Sequence, residues 1–144
     1  MTAKPPRLYA QGTKVAVENS RAEVERYVRK RGATSFGTMT TSESSVLLFE
    51  ARGRRIKFEI PVPKIARPDD RDAEERRRWR CLVLSVKAKF EAVDSGIVTF
   101  EEEFLAHIVV PGTGESVGKW IAPQIAAAYD RGAHMMPLLG PASP

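Results

Sequence analysis

Apolar residues recur along this chain with two periods, and the change from one to the other marks out the elements. Trp79, Leu82, Val83, Val86, Phe90 and Val93 fall at helical spacing and predict a long helix over residues 73–95. Cys81, Leu84 and Ala88 lie on nearly the opposite side of that helix, which predicts packing on two faces, strands in front and the downstream helices behind. Before it, Ile56, Phe58 and Ile60 alternate with Arg55, Lys57 and Glu59, the period-2 signature of a strand with one wet face. Thr34–Thr41 and 45–51 read as two further strands. Arg52-Gly53 turns the second into the third, so the three form a meander.

The remaining elements follow from start and stop signals. Val15 and Val17 alternate as a short strand over 13–18, and Ser20-Arg21-Ala22-Glu23 reads as a capping box that opens a helix at Arg21. That helix turns Val24, Tyr27 and Val28 inward, carries Arg26, Arg29, Lys30 and Arg31 outside, and ends at Gly32. Arg67-Pro68-Asp69-Asp70 reads as a linker. Thr99-Phe100-Glu101-Glu102 is a second capping box, with Phe100, Phe104, Leu105 and Ile108 expected inside. Ser116 caps a last helix on Val117, Trp120, Ile121, Ile125 and Tyr129, bent at Pro123 and ended by Gly132. The expected fold is α+β: a mostly antiparallel sheet of three or four strands packed by a long central helix, with two further C-terminal helices. Residues 13–132 form the single domain, with a flexible arm at 1–12 and a loose tail at 133–144.

Composition adds a constraint on partners. The net charge of +5 is uneven: residues 1–67 hold 14 Lys+Arg against 6 Asp+Glu, and residues 68–144 hold 9 against 12. A basic N-terminal half favours an anionic partner, nucleic acid being the commonest, although a solvated basic face needs none. The sharpest group is Arg52, Arg54, Arg55 and Lys57, clustered on one hairpin and without acids nearby in sequence; Arg26, Arg29 and Lys30 form a second. A single cysteine, Cys81, excludes an intrachain disulfide framework. With no signal-like or membrane-length apolar segment, the expected location is the cytoplasm.

Candidate chemistry is sparse. Glu101, Glu102 and Glu103 fan around a helix start instead of converging, which suits the helix dipole better than a metal. His107 and His134 are not at ligand spacing, and Ser85 and Cys81 have no base beside them. Gly112-Thr113-Gly114 lacks the ending of a phosphate loop and reads as a turn. Trp79 and Trp120 belong to apolar stripes and are expected in the core. No catalytic residue, cofactor or metal is expected.

Three stretches carry a resemblance: Arg31-Gly32-Ala33-Thr34 with Phe36; Arg78-Trp79-Arg80 leading to Val86-Lys87-Ala88-Lys89-Phe90-Glu91-Ala92-Val93; and Gly96 through Ala106. With Val109-Val110-Pro111, Val117-Gly118-Lys119-Trp120 and Pro123-Gln124, they resemble a family of small uncharacterised proteins encoded by tailed bacteriophages and prophages. The resemblance implies a viral origin, hence a host cytoplasm, and no mechanism. Separately, the order helix, three-stranded meander, helix is similar to the double-stranded RNA-binding domain. The expected function is therefore a non-enzymatic phage accessory protein that binds nucleic acid in recombination or replication. The alternative is a phage protein that binds and modulates a host or anti-phage defence protein.

Overall fold

The computed structural model describes residues 5–132; the expected loose tail, His134 and Lys4 lie outside the described residues. The chain runs α1 (Val17–Lys30), β1 (Ser35–Thr40), β2 (Ser44–Ala51), β3 (Arg54–Pro61), α2 (Pro68–Asp94), α3 (Phe100–Phe104), a 3-10 turn (Leu105–His107) and α4 (Val117–Asp130). The fold is α+β, with a three-stranded antiparallel sheet in the order β1-β2-β3.

Both hairpins follow from their turn residues. Thr41 Oγ1 accepts from the backbone N–H groups of Glu43 and Ser44, tightening the β1–β2 turn. Arg52 and Gly53 both take positive φ, 51° and 73°, as a two-residue type I′ turn requires. The resulting register sets Phe36, Phe49 and Ile56 in one row and Thr38, Leu47 and Phe58 in the next, all on the face that meets the helices. Against that face α1 contributes Val24 and Val28, and α2 contributes Trp79, Leu82, Val83, Val86 and Phe90. Burying each of these large side chains is worth about 2 kcal/mol, so this layer holds the fold together. Phe100 and Phe104 of α3 close the core at the C-terminal end of α2, their ring centroids 6.0 and 5.0 Å from Phe90.

Four expectations are corrected. Residues 13–18 are not a strand: Val17 already opens α1, because it shares the helical stripe of Val24 and Val28 and packs on the core. Ser20 and Glu23 are not a cap. Ser20 is buried inside α1, where its hydroxyl accepts from Arg80, and Glu23 binds Arg80 and Lys87, so the pair ties α1 to α2. The supposed linker is the start of α2, with Pro68 at a first-turn position where a missing N–H costs nothing. Finally, among the described residues the downstream helices do not cover a second face of α2, although Cys81 on that face is partly buried with its Sγ against the Tyr9 carbonyl. Leu84 is 46% exposed and Ala88 is exposed, because α3 joins the same core at the helix end instead of lying behind it.

The C-terminal region is thinly attached. After the 3-10 turn, Ile108 bridges Ile56 and the Val109 N–H donates to the Arg55 carbonyl, 2.9 Å, so the segment lies along the outer edge of β3. Ser116 caps α4 as expected, accepting from the Lys119 N–H. Yet α4 buries none of its residues: Trp120, Ile125 and Tyr129 are 49%, 50% and 63% exposed, contrary to the expected core role, and Leu105 is exposed too. No helix among the described residues is long and apolar enough to cross a membrane.

Candidate nucleic-acid interface

The two basic groups singled out by sequence come to the same end of the molecule, because the C-terminus of α1, the start of β1 and the β2–β3 turn are neighbours there. Gly32, with φ 95°, turns the chain out of α1, and the Thr34 N–H donates to the Glu50 carbonyl, 2.8 Å, as β1 begins. That contact sets Arg29 and Lys30, in the last turn of α1, at the sheet end that also carries Arg52, Arg54 and Arg55. Arg26 sits one turn back on the exposed side of α1, and Lys57 lies further along β3.

The hairpin is less free than its sequence suggested. Arg54 Nε is 2.8 Å from Glu101 and Arg55 Nη2 is 2.7 Å from Glu50, so the expectation of no nearby acids is corrected. Lys57 Nζ donates to the Gly114 carbonyl at 3.3 Å, and the Arg52 guanidinium leans over the Phe100 ring at 5.1 Å. On α1, Arg29 pairs with Glu25, whereas Arg26 and Lys30 have no ion-pair partner among the described residues. Arg31 adds a cation at this end, 3.9 Å over the Tyr27 ring and paired with Asp94. One of the missed acids was findable: a two-residue turn at Arg52-Gly53 already sets Glu50 opposite Arg55. Glu101, 47 residues from Arg54, left no local signal.

Arg54 and Arg55 also line a cleft of about 590 Å³ whose far wall is Val109, Val110, Pro111, Gly112 and Gly114. The cleft holds two guanidinium groups and one carboxylate, Glu50, and no histidine, cysteine or hydroxyl nucleophile. It can bind an anion, and its one carboxylate is already engaged by Arg55 at 2.7 Å. The start of α2 is a poorer phosphate site, since Arg77 and Arg78 both close on Glu74 and Arg78 also donates to the Pro61 carbonyl. The hydrogen bond from Arg77 holds the Glu74 carboxyl below its ordinary range, as Arg80 and then Lys87 do for Glu23. Glu101, Glu102 and Glu103 face Arg54, Thr99 and Lys89 respectively, three different directions. No three potential metal ligands converge among the described residues.

No family model matches the chain, and no curated protein or solved structure matches it either.

Proposed function

We propose that this chain is a small non-enzymatic accessory protein of a tailed phage or prophage that binds nucleic acid through its basic N-terminal half, in recombination or replication. The observation that carries the reading is the gathering of Arg29, Lys30, Arg52, Arg54 and Arg55 at one end of the sheet, from segments separated in sequence. The ion pairs there do not cancel it. Arg54–Glu101 and Arg55–Glu50 join side chains that are about half exposed, and such surface pairs are worth about 0–1 kcal/mol, so a phosphate can displace the carboxylate. Interactions of this kind grip the backbone and carry no base specificity.

The test is an anisotropy titration of the full chain with single- and double-stranded DNA and RNA at two salt concentrations. Lys30→Gln and Arg52→Gln together remove cations that have no ion-pair partner among the described residues. The double variant is expected to bind every sequence more weakly and to flatten the salt slope by about 0.9 for each phosphate it no longer neutralises. Wild-type protein that binds none of the four nucleic acids at low salt would end this reading. The exposed Trp120, Ile125 and Tyr129 would then favour the second one, a phage protein that docks on a host or defence protein through apolar anchors and responds little to salt.

A further inference from the structure

The two edges of the sheet are treated differently. The β3 edge is occupied: Ile108 bridges Ile56, the Val109 N–H reaches the Arg55 carbonyl, and the strand carries Arg54, Arg55, Lys57 and Glu59 before ending at Pro61. Charge, proline and a covering segment are the usual protections against another strand. The β1 edge has none of them. Its sequence, Ser35-Phe36-Gly37-Thr38-Met39-Thr40, contains no charge and no proline, and among the described residues nothing pairs with its far side.

We propose that two copies of this chain pair through β1, antiparallel and edge to edge, joining two three-stranded sheets into one continuous sheet. The hydrogen-bond phase selects the register. Thr41 N–H donates to the Ser44 carbonyl, 2.8 Å, so odd-numbered residues of β1 turn their backbone groups toward β2. Phe36, Thr38 and Thr40 therefore present theirs to the open edge. A two-fold axis through Thr38 pairs Thr38 with Thr38 of the second copy and Phe36 with Thr40 of the second copy, satisfying all three residues on each side.

The side chains fit that register as well. On the outer face it sets Met39, 61% exposed, beside Gly37 of the second copy, where a Cβ would meet nothing within 4 Å. The thioether thus fills the space that glycine leaves, on both sides of the axis. On the inner face the two Thr38 side chains meet, a favourable cross-strand pair. A shift of one residue would send Met39 to the wrong face; a shift of two sets glycine against glycine with Met39 opposite Ser35 in one direction, and Met39 against Met39 with Gly37 opposite Thr41 in the other, and neither puts Met39 over the glycine gap. None of the basic side chains named above lies on β1, so this inference is tested separately from nucleic-acid binding.

Sedimentation equilibrium of the full chain across a wide concentration range tests it, with melting temperature followed in parallel. Wild type is expected to show a monomer–dimer equilibrium. Thr38→Pro deletes the N–H at the axis without touching the ladder to β2, and it is expected to weaken the dimer by about tenfold or more with the fold retained. Met39→Lys leaves the backbone alone and places a charge over the glycine gap; it decides the matter should the proline variant fail to fold. A wild type that stays monomeric at every concentration overturns the proposal. So does a dimer that survives Thr38→Pro and Met39→Lys but dissociates in Trp120→Ser, which would move the interface to α4.

Discussion

Helices α2 and α4 both carry a strong apolar stripe, and they meet opposite fates. The stripe of α2 crosses the helix-facing side of the sheet next to α1 and buries Trp79, Leu82, Val83, Val86 and Phe90. Among the described residues α4 is anchored near its start, where Val117 packs on the core, Lys119 pairs with Glu59 of β3, and Gly118 comes so near the 3-10 turn that a Cβ there would lie 3.0 Å from the Ala106 carbonyl. Further along α4, Ile125 and Tyr129 are 50% and 63% exposed. Periodicity says which residues of a helix share a face. Whether the face is buried depends on a second surface large enough to cover it, and among the described residues the sheet supplies the one that α2 uses.

The largest expected effects break that comparison directly. Phe90→Ala removes a fully buried ring that packs on Phe49, Phe100 and Phe104, and it is expected to cost about 3–5 kcal/mol by urea unfolding. Trp120→Ala removes a larger side chain from α4 and is expected to cost less than about 0.5 kcal/mol, as is Leu84→Asp on the outer side of α2. A Leu84→Asp or Trp120→Ala penalty comparable to that of Phe90→Ala would mean that those faces are covered in solution, by another copy or another element.

A middle-sized effect concerns how α2 acquires its neighbour. Glu23 of α1 receives hydrogen bonds from Arg80 at 3.0 Å and Lys87 at 2.7 Å, so one carboxylate spans two turns of α2 and fixes the pairing of the helices. The site is partly buried, between the exposed pairs that contribute almost nothing and the buried ones whose loss is severe. Glu23→Gln is expected to cost about 1–2 kcal/mol and to reduce acid sensitivity, because the depressed Glu23 pKa gives stability that is present above the unfolded carboxylate value and lost as pH falls through the folded one. Comparing urea midpoints of the variant and wild type at neutral and acid pH reads both effects.

These interactions also show what could be read from the chain alone. The hairpins were legible because alternation and Arg52-Gly53 are local signals, and the buried side of α2 was legible because five large apolar residues recur at one period. The boundaries that failed were decided from far away. Ser20 and Glu23 have the spacing of a cap, and only Arg80 and Lys87, 57 to 64 residues later, make them a tether. Likewise, the hairpin cations were legible as a cluster, while Glu101 and the adjacent end of α1 became visible only once α3 and α1 were placed against the sheet.

The smallest expected effect sharpens the weak side of the comparison, where the chain after α3 meets the sheet. His107 stacks on Phe58 with ring centroids 4.2 Å apart, one of the few points where the 3-10 turn meets the core. Burial lowers its pKa below the ordinary histidine value, nearby Lys89 adds to the shift, and a hydrogen bond with the Lys57 backbone opposes it. The folded protein therefore holds the neutral imidazole while the unfolded chain still takes up a proton at about pH 6.5. Protons are bound more tightly by the unfolded state, so this contribution is complete above that value, declines as pH falls toward the depressed folded pKa, and levels off below it. His107→Phe keeps a ring against Phe58 and cannot titrate. Melting temperatures taken from about pH 7.5 down to about pH 5 should fall less steeply for the variant than for wild type, by a margin smaller than the Glu23 effect. Equal slopes would mean that His107 is as exposed in solution as the free end of α4, and that the thinly attached region begins at the 3-10 turn.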